Sequence, residues 1–147
     1  MACVAELSTV NAALTSVAVN NTIPLGNVVH QRGTRRGCNG CCNPVLDLVG
    51  TNSIVVRESG YYDVDFNATF TASAPGNVTI TMFLNGVPVA GFTGTVTITT
   101  DMTQVATLSI SAPDIKINCN DAPATIFFVV SGADATFSNV AVSLHQI

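Results

Sequence analysis

The segment GYYDVDFNATF, residues 60–70, constrains the fold most strongly, because its apolar side chains recur at every second position. The apolar residues of one face are Tyr62, Val64, Phe66, Ala68 and Phe70. The residues between them are Tyr61, Asp63, Asp65, Asn67 and Thr69. A period of two predicts a strand with one buried and one solvated face, as in an antiparallel sheet.

The same alternation recurs along much of the chain. It is present in NVTITMFL (77–84), TVTITT (95–100) and VATLSIS (105–111). Turn signals such as Pro75-Gly76-Asn77 and Asn85-Gly86 separate these segments. Short strands at regular spacing, with no helical pattern after residue 20, predict an all-β sandwich or barrel. The length of 147 residues suits one domain with a substantial core.

Residues 1–22 follow a different pattern, and we expect them to form a short N-terminal helix or arm. Their apolar residues at helical spacing are Val4, Leu7, Val10, Leu14 and Val17. Two heptads are too few to form a stable helix alone, so such a segment needs a partner surface or sister chains. It is expected to anchor or trimerise the protein, or to dock as an arm, and the β domain then covers residues 23–147.

Two late segments are apolar on both faces. In ATIFFVVSG (124–132), Phe127 and Val129 alternate with a second apolar set, and ATFSNVAVSLHQI (135–147) is similar. One face packs in the sandwich, and the other needs a different cover. A second copy of the chain is the simplest cover, so the pattern predicts an oligomer.

The order of these segments resembles a known family. SIVVRESGYYDVDFNATF is similar to the Gly-turn and aromatic central strand of the jelly rolls typified by tumour necrosis factor and the complement globular head. MFLNGVPVAG resembles their next hairpin, and TIFFVVSGADATFSNVAVSLHQI resembles their closing strand pair. The pattern is most similar to the heads of bacterial collagen-like spore filaments and of phage fibres or decoration proteins.

This resemblance covers residues 23–147 and implies a jelly roll of about ten antiparallel strands. It also implies a homotrimer held by apolar faces near a three-fold axis, and no catalysis. The residues expected at the trimer interface are Phe127, Val129, Tyr62, Phe137, Val142, Leu144 and Ile147. The chain departs from the family in its N-terminal segment and in a long, Cys-rich loop at residues 31–44.

Charge and hydropathy exclude several classes of function. Only 10% of the residues are charged, against about 25% in an average soluble domain, and the net charge is −4. Arg32, Arg35 and Arg36 form the only basic cluster, so nucleic-acid binding is not expected. No apolar segment is long enough for a membrane-spanning helix. The N-terminus does not resemble a signal peptide, which favours folding in a cytosol.

The cysteines leave several alternatives open. Cys38, Cys41 and Cys42 lie close together, but a lone C-x-x-C pair is weak evidence for zinc. A disulfide is an alternative, and free thiols are favoured in a cytosolic chain. A calcium loop is a further alternative, and its candidate oxygen ligands are Asp114, Asn118, Asn120 and Asp121. No cofactor is otherwise expected.

Catalytic chemistry is not expected, because His30 and His145 lie in no nucleophile, zinc or phosphate-loop motif. The leading hypothesis is a non-enzymatic virion protein, a phage capsid decoration or head-fibre protein displayed as a homotrimer. Its expected partners are its own copies and a capsid or other virion protein, contacted through the N-terminal arm. The alternatives are a head that binds a host glycan or receptor, and a secreted ligand of the tumour necrosis factor type.

Overall fold

A computed structural model describes residues 4–36, 42–99 and 103–147. Within this part of the chain all regular structure is β, and no helix long and apolar enough to cross a membrane is present. The strands are β1 (Glu6–Asn11), β2 (Thr15–Val17), β3 (Asn27–Arg32), β4 (Thr34–Arg36), β5 (Cys42–Pro44), β6 (Leu46–Val49), β7 (Ser53–Val56), β8 (Gly60–Ala72), β9 (Gly76–Leu84), β10 (Val87–Ile98), β11 (Val105–Ile117), β12 (Ala124–Ser131) and β13 (Ala135–Gln146).

The strands form two stacked antiparallel sheets. Sheet A has the order β11-β8-β13-β1-β3, with β2 pairing to β13, and sheet B has the order β10-β9-β12-β7-β6. β4 and β5 form a separate hairpin between β3 and β6. Strands that are distant in sequence are therefore neighbours in each sheet, as in a jelly roll. This confirms the predicted all-β jelly roll.

The core lies between the inner faces of the two sheets. The alternation in β8 is confirmed, because Val64 and Phe66 point inward and are buried while Asp65 and Asn67 are exposed. The ring of Phe66 stacks on that of Phe128 from sheet B, with centroids 4.5 Å apart. Burying such an aromatic side chain stabilises the fold by about 1.5–3 kcal/mol, so the two sheets are held together mainly by apolar contact.

Of the two forms predicted for residues 1–22, a short helix or a docked arm, the helix is wrong, because residues 6–11 and 15–17 form strands of sheet A. β1 lies between β13 and β3, and both neighbours supply backbone hydrogen bonds. Leu7 and Thr9 point into the core, while Ser8 and Val10 point outward. The spacing of Leu7 and Val10 is compatible with a helix, but pairing with β13 satisfies the backbone and buries Leu7. The jelly roll therefore begins before residue 23, which corrects the predicted domain boundary.

Candidate functional site

Four of the seven residues predicted at a trimer interface are buried within a single chain. Tyr62, Phe137, Val142 and Leu144 lie on the inner face of sheet A and have almost no exposed surface. A side chain that is covered by its own second sheet cannot pack against another copy. The prediction that these four residues form an interface is therefore wrong, and they belong to the core.

Tyr62 illustrates how completely this face is enclosed. Its hydroxyl donates a hydrogen bond of 2.7 Å to the carbonyl oxygen of Glu58. Burial, together with the nearby Glu58 carboxylate, raises the pKa of Tyr62 to about 12. The side chain is thus a neutral, hydrogen-bonded member of the core.

Phe127 and Val129 lie on the outer face of sheet B, as their alternation predicts. Both are half-buried. Phe127 stacks on Phe83 of β9, with ring centroids 5.2 Å apart and an angle of 8° between the rings. The two rings cover part of each other's surface, so this apolar pair is partly shielded without a partner chain.

Ile147 belongs to an exposed apolar row at one end of the outer face of sheet A. The Ile147 N–H donates a hydrogen bond of 2.9 Å to the Tyr61 carbonyl, and the Gln146 N–H donates one of 2.8 Å to the Ala5 carbonyl. This pairing brings Val4, Tyr61 and Ile147 into one row across three neighbouring chain segments. All three side chains are exposed, Ile147 by 64%. We call these three residues the basal patch.

Carboxylate and imidazole side chains border the basal patch in the next row of sheet A. Asp63 of β8 is opposite His145 of β13, and His145 is opposite Glu6 of β1. The Glu6 carboxylate lies 3.2 Å from Nε2 of His30 on β3. An apolar patch with a charged border is the usual pattern of a protein interface.

The residues predicted to form an N-terminal anchor do not share one face. Leu7 and Val17 are in the core, and Val10 is half-buried. Val4 and Leu14 are exposed, Leu14 by 77%. Of these five residues, only Val4 and Leu14 are exposed enough to offer apolar surface to a partner.

The candidate metal sites are only partly described. Cys38 and Cys41 lie outside the described residues, and the backbone of Cys42 is part of β5. Within the described ranges, Cys119 is an exposed free thiol 3.4 Å from the Ser59 hydroxyl, and no three His, Cys, Asp or Glu side chains form a metal-binding group.

Two of the four side chains proposed for a calcium loop, those of Asn118 and Asp121, bind each other. The Asn118 amide donates a hydrogen bond of 3.1 Å to the Asp121 carboxylate. The backbone N–H of Asp114 donates one of 3.0 Å to the Asp63 carboxylate. Calcium binding at this loop stays a prediction.

A groove lies at the other end of the sandwich, where β8 ends and β13 begins. Two cavities, of about 650 and 390 Å³, flank the short strand β2 and share Ser16, Val17 and Ala18 as lining residues. The first cavity reaches to Ala72 and Asp134. The remaining lining residues are Leu14, Thr71, Ser73, Ala135 and Thr136 in the first cavity, and Asn21, Thr22, Pro24 and Asn52 in the second. We call this pair of cavities the distal groove.

No protein-family model matches the sequence, and no curated protein matches it. Solved structures do match along almost the whole chain. Eiger TNF from S. frugiperda is 11% identical with a TM-score of 0.71, over 98% of this chain and 91% of that one. The globular domain of zebrafish complement 1qA is 10% identical with a TM-score of 0.64, over 97% and 96%. The PRD1 vertex protein P5 is 15% identical with a TM-score of 0.56, also over 97% and 96%.

The chain has the tumour necrosis factor-like jelly-roll fold. The resemblance inferred from the sequence is thereby confirmed at the level of fold, including strands that precede residue 23. On this fold the basal patch and the distal groove lie at opposite ends of β8.

Sequence reasoning missed most of both surfaces. Tyr61 could have indicated the basal patch, because it is an aromatic residue on the polar face of an alternating strand. The groove had no local signal, because its walls come from four segments that are separated along the chain.

Proposed function

We propose that this chain is a non-enzymatic structural head that assembles as a homotrimer on the surface of a virion, as a capsid decoration or head-fibre protein. The likeness to the PRD1 vertex protein P5 over almost the full length of both chains supports the virion class. The low content of charged residues, 10%, is compatible with a surface that packs against other protein.

The observation that carries the trimer is the basal patch. Val4, Tyr61 and Ile147 expose apolar surface in one continuous row, whereas the rest of the outer face of β8 carries carboxylate, amide and hydroxyl groups. Each exposed apolar group gains free energy when another chain covers it. Three copies that meet around a three-fold axis at this row cover all three patches at once.

Native mass measurement tests the trimer. The chain has a mass of 15.2 kDa, so a trimer has a mass of about 46 kDa. We expect Ile147→Asp to shift the population to monomer, because it places a carboxylate in the contact. Val87→Asp is the matched control, since Val87 is also 64% exposed but lies on sheet B.

A monomeric wild-type chain at micromolar concentration would contradict the proposed assembly. Equal dissociation by both variants would show that the basal patch is not the contact.

The virion location has a separate test. Protein analysis of purified virions from the producing cell is expected to find the chain, and antibody labelling is expected to place it on the outer surface. The virion contact is proposed at the basal end of the trimer, beside the contact between the copies. Absence of the chain from purified virions would contradict the location whatever the oligomeric state.

A host-binding head is the second candidate function, and the distal groove favours it. The groove is at the end of the sandwich opposite the basal patch, so a particle attached at the base leaves it accessible. Such a head would bind a host glycan or receptor while serving the same structural role.

A further inference from the structure

The distal groove combines a polar lining with an apolar floor. In its first cavity the Asp134 carboxylate accepts a hydrogen bond of 2.8 Å from the Val19 backbone N–H through one oxygen. The hydroxyl groups of Ser16 and Thr136 lie 3.3 Å apart across the β2–β13 pair. Buried Val17 supplies part of the apolar floor.

The second cavity, on the other side of β2, also has polar lining residues. Its polar lining residues include Asn21, Thr22 and Asn52, and the Asn52 amide oxygen accepts a hydrogen bond of 2.8 Å from the Thr51 hydroxyl. An amide offers both donors and an acceptor, whereas an ionised carboxylate only accepts. The two cavities together therefore present donors and acceptors along a path that is longer than one small ligand.

The charges of the lining limit the ligand class. Among the described residues that line the two cavities, Asp134 is the only charged one, and it is negative. A sialic acid, phosphate or sulfate group would meet a carboxylate and no cation. A compact cation would pair with Asp134 but would not engage the amides of Asn21 and Asn52, which are exposed and can contact a larger ligand.

A neutral hydroxyl-rich ligand satisfies all of these groups. Its hydroxyls donate to Asp134 and accept from the amides, and its C–H faces pack on the apolar floor. The cavity volumes of about 650 and 390 Å³ lie within the usual range of ligand sites. We propose that the distal groove binds a neutral oligosaccharide, with sugar units on both sides of β2.

This inference deepens the second candidate function and does not depend on the trimer. The groove lies within one chain, and β8 separates it from the basal patch by about 30–35 Å, given roughly 3.3 Å per residue over ten residues. Oligosaccharide binding and oligomeric state are therefore measured independently.

A glycan array probed with the labelled wild-type chain tests the proposal, with lactose and 3′-sialyllactose as a matched neutral and anionic pair. Binding to neutral oligosaccharides is expected, and at least tenfold weaker binding to any sialylated counterpart. The strongest neutral glycan is then titrated by NMR. Thr136→Val and Asn52→Ala, on opposite sides of β2, are each expected to weaken binding at least fivefold, because each removes a hydrogen-bonding group.

Thr107→Val is the matched control, since Thr107 is an exposed residue of β11 outside the groove. It is expected to leave affinity unchanged, and the unfolding midpoint of every variant verifies that it folds. No binding to any neutral glycan would overturn the proposal, as would tighter binding to sialylated glycans or equal losses in the control.

Discussion

Thr9, in the middle of β1, places a hydroxyl in the apolar core. Its side chain is 1% exposed, and within the described part of the structure its oxygen has no hydrogen-bond partner. A buried, unpaired hydroxyl costs about 1–3 kcal/mol. Thr9→Val keeps the shape and removes the hydroxyl, so we expect it to raise the free energy of unfolding by about 1 kcal/mol or more. Urea unfolding measures this change, and a loss of stability would mean that the hydroxyl has a partner.

Tyr62 makes stability depend on alkaline pH. Its pKa in the folded chain is raised to about 12 from an ordinary value of about 10, because burial and Glu58 disfavour the phenolate. The folded state therefore holds this proton more tightly than the unfolded state does. The resulting stabilisation is fully present below pH 10 and is lost as the pH rises from 10 through 12.

We expect the unfolding free energy of the wild-type chain to fall over that interval more steeply than that of Tyr62→Phe, which has no phenol to ionise. At neutral pH the variant should be less stable by about 1 kcal/mol, since it lacks the hydrogen bond to the Glu58 carbonyl. Parallel pH profiles for the two proteins would contradict the assignment.

Tyr62 also shows what single-residue patterns can establish. The alternation in β8 correctly separates Tyr62 from Tyr61, but it does not say what covers each face. The second sheet of the same chain covers Tyr62, and Tyr61 is the one left exposed. Identifying the cover needs the pairing of strands that are far apart in sequence.

The conformation of β1 is determined by its neighbouring strands and not by its own sequence. Its short segment is compatible with a helix, and only pairing with β13 and β3 makes it a strand. Propensity over six residues is weak, so tertiary contacts determine the outcome. The longer strands β8 and β9, of 13 and 9 residues, were predicted correctly because the alternation extends over most of each strand.

Substitutions at Leu7 and Leu14 distinguish the observed strand from the predicted heptad helix. Leu7 is fully buried and Leu14 is 77% exposed, although a heptad stripe would make them equivalent. Leu7→Ala is expected to lower the unfolding free energy by about 2–5 kcal/mol, because it leaves a cavity in the core. Leu14→Ala should change it by less than about 0.5 kcal/mol. Chemical denaturation of both variants measures the difference, and equal effects would favour the heptad.

Removal of residues 1–22 does not test whether this segment anchors the protein to a particle. It deletes β1 and β2 from sheet A, so loss of particle binding would follow from unfolding alone. Substitution of exposed Val4 by Asp leaves the sheet intact, and comparison with Ile147→Asp in the same patch separates loss of particle binding from loss of the trimer.

In the whole molecule, the sandwich was predictable and its two candidate surfaces were not. Apolar alternation and turn residues specify how many strands form and which side chains point inward. The basal patch forms because the start of β8, the end of β13 and the segment before β1 lie side by side, and the distal groove forms because β2 lies beside β13. Both are consequences of strand order, which local sequence periodicity does not encode.

Assembly of the whole molecule predicts a concentration-dependent melting temperature. If the folded state is a trimer and the unfolded state is a monomer, each tenfold dilution destabilises the folded chain by about 0.9 kcal/mol. This is two-thirds of the 1.4 kcal/mol that corresponds to a tenfold change. For a chain of 147 residues the melting temperature should therefore fall by about 3 °C per tenfold dilution.

Ile147→Asp is expected to abolish this dependence, because its folded state is a monomer, while Val87→Asp should retain it. Calorimetry or circular dichroism over a hundredfold range of concentration measures the slope. A flat wild-type profile would contradict coupled folding and assembly. A slope retained in Ile147→Asp would place the contact on another surface, such as the half-buried Phe83–Phe127 pair of sheet B.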